Sequence, residues 1–302
     1  MTDITKHCLF CREREDLEEL YPRTFRDEDL TPGVFSARRV TEHFHYRMVR
    51  CRHCGLVFSR EILPGETLRR LYAESTVTFS RYADIIAADY WRALEPFMAP
   101  GRRGKALEVG CSSGFFLETL LKAGFREVAG VEPSREAIGR AAPRVRDAIV
   151  PGFFREGMFP EESFDLVCSF QTLDHLEEPL EVLRGLRRLL RPGGTGYFIT
   201  HNVRAFQARA LGEKSPIIDV EHIYLFDRRT LRRALEETGY VETAVGSLRN
   251  SYPAGYWLRM FPMRPAIRDR LLAWAGRTGL DGWPLPIRAG NIFAVGRRGG
   301  GA

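Results

Sequence analysis

The sequence predicts an α/β protein with a Rossmann-like, mainly parallel sheet. An apolar run at Lys105–Val109 leads into the glycine turn Gly110–Gly114, and Phe115–Ala123 then has helical periodicity. A second apolar run follows at Val128–Val131. Further apolar runs alternate with helical patterns downstream, and such alternation is typical of a parallel sheet covered by helices.

The glycine turn indicates a ligand site. Gly110 and Gly114 allow the backbone to approach a ligand closely and present N–H groups at a helix N-terminus. Glu132 follows about 20 residues later, where a carboxylate can accept both hydroxyls of a ribose. The pattern predicts a nucleoside-containing cofactor without selecting which one. The alternative interpretation is a strand–turn–helix unit with incidental glycines.

Composition suits one large domain with a smaller one. The 302 residues are 44% hydrophobic and 28% charged, which is ordinary for a globular protein. The net charge of +6 could suggest a nucleic-acid partner. The basic residues are mostly scattered arginines without a dense block, which argues against that partner.

The N-terminus and the cysteines bear on the compartment. MTDITKHCLF lacks a signal-peptide pattern, and no apolar run approaches the roughly 20 residues of a membrane span. We therefore expect a cytoplasmic protein without membrane contact. In that compartment the six cysteines should stay reduced or bind metal.

Two C-x2-C pairs predict a zinc site. Cys8 and Cys11 form the first pair, and Cys51 and Cys54 form the second, which is followed by a glycine. Two such pairs suit tetrahedral Zn(II), and four thiolates leave no open position, so the metal would be structural. Four buried small side chains, or a redox pair, are the alternatives. Nearby histidines could substitute as ligands: His7, His43, His45 and His53.

The remaining elements follow from periodicity and from turn residues. Strands are predicted at Phe44–Val49, Leu56–Phe58, Arg146–Val150, Glu162–Phe170 and Tyr197–Thr200. Helices are predicted at Pro64–Tyr72, Asp84–Met98, Ser134–Ala142 and Pro179–Leu190.

Two motifs resemble class I S-adenosylmethionine-dependent methyltransferases. They are the E-x-G-C-S-S-G turn at residues 108–114 and the later pattern SFDLV, LDHL and LLRPGG. The resemblance implies a seven-stranded class I methyltransferase fold with S-adenosylmethionine as the cofactor. It also implies that the C-terminal LPIRAGNIFAVGRR forms the final antiparallel strand.

A narrower resemblance is to bacterial methyltransferases with an N-terminal zinc-binding domain, including the sugar C-methyltransferases of antibiotic pathways. It is carried by the cysteine pairs, THN at 200–202, SPIIDVEH at 215–222 and YLF at 224–226. It implies a zinc-binding domain at 1–62, a helical lid at 63–100 and a methyltransferase domain at 101–302. A Pro/Trp/Arg-rich insert at about 250–287 stands where the sugar enzymes have a sizeable domain.

Ligands of an open parallel sheet lie at the carboxyl ends of its strands. Residues at or beside those ends, with one tyrosine from the lid, form the predicted cofactor site: Glu108, Gly110, Cys111, Gly114, Glu132, Pro133, Phe153, Phe170, Gln171 and Tyr72. The thiols of Cys111 and Cys168 are interpreted as small apolar fillers.

Methyl transfer to a hydroxyl or carbon acid also needs a base. His175, His201 and His222 are the candidates, with Glu221 as a partner. Glu221 and His222 match the E-H pair of the sugar C-methyltransferases, and His175 matches a second histidine near the methyl group. The resemblance therefore implies His222 as the base, Glu221 in substrate binding or support of the base, and His175 in positioning the substrate. For each histidine, a purely structural role is the alternative.

Three functions are compatible with the sequence. The leading one is methylation of carbon, oxygen or nitrogen on a small molecule in a biosynthetic pathway. The second is an RNA methyltransferase that holds RNA with its zinc knuckle, although FQTLDH lacks the Asn/Asp-Pro-Pro-aromatic motif for exocyclic amines. The third is a non-catalytic binding module. The acceptor, the methylated atom and the oligomeric state stay open.

Overall fold

The computed structural model describes residues 3–31, 34–35, 44–74, 82–260 and 263–300. The predicted lid segment at 75–81 and His43 lie outside these residues. Within them the strands are β1 (Ile4–Thr5), β2 (Leu17–Tyr21), β3 (Met48–Cys51), β4 (Val57–Ser59), β5 (Glu61–Ile62), β6 (Lys105–Val109), β7 (Glu127–Glu132), β8 (Ile149–Pro151), β9 (Phe164–Phe170), β10 (Leu190–His201), β11 (Tyr224–Leu225), β12 (Tyr240–Ser247) and β13 (Asn291–Arg298).

Ten α-helices lie in the same part of the chain. They are α1 (Gly65–Ala73), α2 (Ala83–Leu94), α3 (Phe115–Lys122), α4 (Arg135–Gly139), α5 (Pro143–Arg146), α6 (Pro179–Leu189), α7 (Phe206–Leu211), α8 (Arg228–Glu237), α9 (Ala254–Met260) and α10 (Pro265–Thr278). Short 3₁₀ turns lie at Asp27–Asp29, Glu95–Phe97, Leu173–His175, Gly212–Lys214 and Leu280–Gly282.

A seven-stranded sheet forms the centre of the molecule, in the order β12-β13-β10-β9-β6-β7-β8. β10, β9, β6, β7 and β8 pair in parallel, whereas β13 is antiparallel to both β10 and β12. This confirms the predicted α/β fold, its mainly parallel sheet and its antiparallel final strand. The carboxyl ends of β6, β7, β9 and β10 meet at one edge, which we call the carboxyl edge.

Burial on both faces explains the apolar runs of the central strands. Every residue of β9 is buried, as are residues 106–109 of β6. Helices cover both faces, so the strands need apolar side chains on both sides. Asp165 and Ser169 are the polar residues of β9, and both are hydrogen-bonded. The carboxylate of Asp165 accepts from the backbone N–H groups of Gly104 and Lys105, and the hydroxyl of Ser169 donates to the carbonyl oxygen of Val109.

The third parallel strand was predicted too early in the chain. Pro143–Arg146 forms α5, and the strand occupies Ile149–Pro151. Pro143 stands at the start of this short helix, where its fixed φ angle is favourable and its missing N–H is harmless. The helix predicted at Ser134–Ala142 is shorter in the structure, where α4 ends at Gly139.

The N-terminal region builds a second sheet, in the order β11-β4-β3-β2. The Phe44–Val49 strand was predicted a few residues too early, since β3 runs from Met48 to Cys51. Tyr224 of β11 pairs with Phe58 of β4, so a segment from late in the chain completes this sheet. The pairing fixes the cysteine-rich region against the segment that contains His222.

The Pro/Trp/Arg-rich insert forms α9, α10 and a 3₁₀ turn between β12 and β13. Antiparallel bridges between Asn250 and Ile287, and between Pro253 and Pro284, close its base. Among the described residues, no helix has the length and apolar character needed to cross a membrane.

Candidate active site

The glycine turn lies at the carboxyl edge, between β6 and α3. Gly110 has φ +77° and Gly114 has φ +70°, a region that favours glycine. A Cβ atom on Gly110 would lie 2.3 Å from Oγ1 of Thr172, so the turn is closely packed as well as left-handed. The two glycines therefore set the course of the backbone at the start of α3.

Glu132 stands at the end of β7, opposite the glycine turn. Its two carboxylate oxygens accept hydrogen bonds from the backbone N–H groups of Ser112 and Ser134, each at 2.8 Å. Burial raises the pKa of Glu132, and these two amides oppose the rise. The carboxylate is held in a fixed orientation, and each oxygen keeps acceptor capacity for a further donor.

Two buried polar atoms near the turn have no hydrogen-bond partner among the described residues. They are Oε2 of Glu108 and Oε1 of Gln171. Burial, with the charge of Glu132 adding to it, raises the pKa of Glu108 well above its ordinary value. Gln171 follows β9 in a left-handed conformation, at φ +49°. Unpartnered buried polar atoms are rare in proteins, and these lie where a polar ligand would satisfy them.

Phe170, Pro133 and Phe153 also belong to the predicted cofactor site, and their surroundings differ from one another. Phe170 packs in an aromatic cluster with Tyr90, Phe116 and Tyr197. Pro133 and Phe153 are partly buried beyond β7 and β8.

The thiols of Cys111 and Cys168 are buried, as predicted for small fillers. A Cβ atom on Gly130 would meet Sγ of Cys111 at 2.5 Å, so this thiol fills the space above that glycine.

Asp174 is the centre of a histidine cluster at the carboxyl edge. It is fully buried in the 3₁₀ turn after β9. Its Oδ2 atom lies 2.9 Å from Nδ1 of His201 and 3.9 Å from Nε2 of His222, and its Oδ1 atom lies 3.8 Å from Nε2 of His175. The ring centroids of His175 and His201 each lie 4.8 Å from that of His222. We call these four residues the Asp174 cluster.

Burial controls the protonation of the cluster. It lowers the pKa of His222 well below its ordinary value, with the neighbouring His175 and His201 adding to the effect. The pKa of His175 is also lowered, mainly by burial. Burial would raise the pKa of Asp174, but the hydrogen bond from His201 and the nearby imidazoles hold it below its usual range. Near neutral pH the cluster therefore combines an ionised carboxylate with neutral His175 and His222, which can accept protons.

Tyr72 connects α1 to this cluster. Its hydroxyl lies 3.0 Å from Nδ1 of His175 and donates to the carbonyl oxygen of Glu221 at 3.2 Å. The predicted cofactor residue Tyr72 thus lies beside the predicted catalytic residues. Glu221 is partly buried, and its backbone N–H donates to Asp219.

The central position of Asp174 was not predicted from the sequence. Neither a role for its carboxylate nor its bond with His201 was expected. The adjacent Asp174 and His175 in LDHL are a weak local signal. The contacts to His201 and His222 span 27 and 48 positions in the chain, which no spacing rule covers.

The four N-terminal cysteines form a separate cluster. Their sulfur atoms all lie within 4.8 Å of one another, and those of Cys8 and Cys54 are 3.3 Å apart. A Zn–S distance of about 2.3 Å separates the sulfurs of a tetrahedral site by slightly under 4 Å, so the donor set fits zinc. The hydrogen bond from Cys54 lowers the pKa of Cys8 to about 5, against the effect of burial.

The nearby histidines make other contacts. His45 is buried and hydrogen-bonds to Tyr46 and Glu213, and His53 pairs with Glu13 and Asp16. Sulfur is therefore the donor type of this cluster among the described residues.

Comparison with known proteins identifies the central domain. A methyltransferase-domain family model matches residues 81–245, more than half of the chain. The ubiquinone biosynthesis O-methyltransferase of Methylococcus capsulatus is 33% identical over 104 residues, which are 32% of this chain and 44% of the relative. The tRNA U34 carboxymethyltransferase of Shewanella loihica is 32% identical over 110 residues, covering 34% and 33%. The chain therefore spans less than half the length of these curated relatives.

One solved structure supports the fold alone. It is a chain of a complex that contains the Haloferax volcanii Trm112 methyltransferase activator, with a TM-score of 0.51 and 20% identity. The alignment covers 73% of this chain and 95% of that one. Taken with the sheet order and the family match, these findings show that the chain belongs to the methyltransferase-domain family and carries the domain of a class I S-adenosylmethionine-dependent methyltransferase.

Proposed function

We propose that the protein transfers a methyl group from S-adenosylmethionine to a small-molecule acceptor that loses a proton to the Asp174 cluster. The observation that carries the proposal is this cluster itself. A buried carboxylate and three imidazoles meet at the carboxyl edge, beside the predicted cofactor site. A site that only had to bind the cofactor would not need them.

The residues around the glycine turn fit the cofactor. Gly110 and Gly114 give it close access to the backbone, and the oriented carboxylate of Glu132 would accept the ribose hydroxyls. Glu108 and Gln171 offer buried polar atoms that need partners. When bound, S-adenosylmethionine supplies an electron-poor methyl group on a sulfonium. The protein's own task is to hold the acceptor in line and to exclude water, and orientation alone can supply a large part of the rate.

A proton acceptor completes the reaction for a hydroxyl or carbon acid. We assign this role to His222, which burial keeps neutral and whose Nδ1 has no partner among the described residues. Its Nε2 side faces Asp174, whose charge would stabilise the imidazolium that forms. The acceptor's O–H or C–H bond would break and its proton would move to the imidazole. The released electron pair would bond to the methyl carbon while the methyl–sulfur bond breaks, its electrons staying on the sulfur of the departing thioether.

His201 is a second candidate for the base. Its Nδ1 is hydrogen-bonded to Asp174, which leaves Nε2 as the available acceptor, and its side chain is 26% exposed. This arrangement of an oriented imidazole on a buried carboxylate is well suited to proton transfer. His175, held by Tyr72, would position the acceptor, and Glu221 would bind it or support the base.

Small-molecule chemistry is favoured because the cluster suits an acceptor with an acidic proton. The likeness to an enzyme named for O-methylation in ubiquinone biosynthesis agrees with such an acceptor. The resemblance to sugar C-methyltransferases extends the proposal to carbon and to a biosynthetic pathway.

The likeness to a tRNA-modifying enzyme favours RNA as the second candidate. RNA affinity that falls steeply with salt would support that candidate.

Zinc would have a structural role. Four thiolates fill the tetrahedral coordination of the ion, so no position is open for a substrate. The ion would join the loop around Cys8 and Cys11 to the end of β3, where Cys51 begins the second C-x2-C pair. Because β11 pairs with the same sheet, this joint would also steady the segment that carries His222.

The test is methyl uptake from labelled S-adenosylmethionine into fractions of a cell extract, with wild-type protein and Asp174→Asn. We expect uptake into a small-molecule fraction by the wild type and a loss of about 10²-fold or more in the variant. Uptake into RNA would support the second candidate instead. Equal uptake by both proteins would remove the Asp174 cluster from the mechanism.

A further inference from the structure

The insert between β12 and β13 displays the largest concentration of exposed apolar side chains among the described residues. Of the eleven large hydrophobic side chains that are exposed among the described residues, six lie in the insert. They are Ile267, Leu271, Trp274, Trp283, Leu285 and Ile287. Trp274 is 52% exposed and Trp283 is 63% exposed. Exposed apolar patches of this kind mark interaction sites.

The patch has a consistent geometry. Ile267, Leu271 and Trp274 follow one another at i, i+4 and i+7 along α10 and so share one face of the helix. Ala275, one turn after Leu271, is buried at the edge of this face. Next to this ridge runs an apolar groove of about 370 Å³, whose lining includes Trp257, Trp274 and Trp283. Three of the chain's four tryptophans thus gather in one small subdomain.

The charge of the same segment is mostly positive. Residues 250–290 contain six arginines and two aspartates, a formal charge of +4 in a chain whose total is +6. Five of these arginines are exposed: Arg259, Arg264, Arg270, Arg277 and Arg288. Tryptophan and aliphatic side chains interleaved with arginine are the composition that binds an anionic lipid–water interface.

The insert begins and ends at the carboxyl edge. In the sheet Ser247 pairs with Ile292, and Asn291 pairs with His201. The backbone N–H of Asn202 also donates to the carbonyl oxygen of Gly290. Any surface that holds the insert is therefore held close to the Asp174 cluster.

We propose that the insert docks on the surface of an anionic lipid bilayer through its tryptophan-lined face and its arginines. Apolar side chains enter the interface, and the guanidinium groups pair with the anionic headgroups. The proposal departs from the expectation of no membrane contact, which rested on the lack of a membrane-spanning segment, because docking on a surface requires no such segment. It does not depend on the nature of the methyl acceptor.

Sedimentation with lipid vesicles tests the proposal on the full-length protein. The probes are phosphatidylcholine vesicles with and without about 30% phosphatidylglycerol, which supplies the anionic headgroups. We expect binding to the anionic vesicles that weakens as salt rises. Trp274→Ala/Trp283→Ala and Arg270→Glu/Arg277→Glu should each weaken binding about tenfold or more.

Matched variants control for general apolar character and charge. Val150→Ser/Val241→Ser removes two exposed apolar side chains elsewhere, and Lys122→Glu/Arg126→Glu reverses two exposed charges away from the insert. Both should bind like the wild type, with folding of all variants checked by circular dichroism. Absence of wild-type binding, or equal loss in the controls, would overturn the proposal. So would a wild-type dimer that becomes monomeric in the tryptophan variant, because the patch would then face a second copy.

Discussion

Nδ1 of His201 lies 2.9 Å from Oδ2 of the fully buried Asp174, and this bond joins the ends of two neighbouring parallel strands. β9 leads into the turn that carries Asp174, and β10 ends at His201. The sheet therefore holds the two residues in register, and the segment before β11 brings His222 against both. The parallel sheet explains how residues far apart in the chain form one proton-accepting cluster.

The first prediction separates the two candidate bases. His222→Gln and His201→Gln each remove one imidazole of the Asp174 cluster. Loss of the base should lower turnover about 10²–10⁴-fold, because a positioned base contributes that much. Turnover is followed as labelled methyl uptake, and S-adenosylmethionine affinity should stay unchanged in both variants.

Asp147→Asn is the matched control for Asp174→Asn, since Asp147 is exposed and lies between α5 and β8, outside the Asp174 cluster. It should keep wild-type turnover. If neither histidine variant slows the reaction, the acceptor does not give its proton to this cluster.

The second prediction concerns the ribose contact. Glu132→Ala should weaken S-adenosylmethionine binding about tenfold or more, because two charge-assisted hydrogen bonds would be lost. Calorimetric titration measures the affinity. Glu127→Ala, at the other end of β7 and paired with Lys105, is the control and should bind normally. Equal affinities would show that Glu132 does not touch the cofactor.

The third prediction tests the glycine turn. Gly110→Ala should lower the free energy of unfolding by at least about 1–2 kcal/mol, because a Cβ atom is strained at positive φ and would also meet Thr172. Gly139→Ala in α4 has open space around the new Cβ, and it should be neutral or stabilising by up to about 1 kcal/mol. Urea unfolding compares the pair, and similar losses in both would contradict the packing described.

The fourth prediction concerns metal. The purified wild type should contain one zinc ion per chain, and Cys51→Ser should lose it together with part of the folded yield. Elemental analysis measures the content. Cys111→Ala alters a buried thiol outside the cysteine cluster and should keep the ion. Zinc retained by the Cys51 variant would argue against a four-thiolate site.

The fifth prediction follows from the buried histidines. The pKa of His222 in the folded protein lies well below 6.5, so below about pH 6.5 the unfolded state binds more protons than the folded state. Stability should therefore fall as the pH is lowered from 7 to 5. The low pKa of Asp174 acts in the same direction at still lower pH. Urea unfolding at several pH values should show a shallower decline for His222→Gln, and an identical slope would contradict a neutral buried imidazole.

The parts of the fold that were predicted correctly are local. Strand β6, the turn at Gly110–Gly114 and α3 are adjacent in the chain, and their apolar pattern and glycines suffice to define them. The α5 helix was missed because Pro143 was not recognised as a helix start. The helices of the insert were not predicted, since α10 exposes apolar residues on one face and its pattern matches no buried helix.

The candidate site was predictable only in its separate pieces. Glu132 follows from its distance to the glycine turn, and the roles of His175 and His222 follow from the resemblance to the sugar C-methyltransferases. The meeting of Asp174 with His201 and His222 depends on strand order, and the contact of Tyr72 with His175 depends on how α1 packs. Both are tertiary relationships without a fixed spacing in sequence.

Calorimetric titration of S-adenosylmethionine into the purified protein tests the central claim most directly. We expect one site per chain for the cofactor, with affinity reduced by Glu132→Ala and unaffected by His222→Gln. The account would be contradicted by a folded, zinc-loaded protein that shows no heat of binding at any of several temperatures. Such a protein would also have to fail to retain labelled S-adenosylmethionine in equilibrium dialysis.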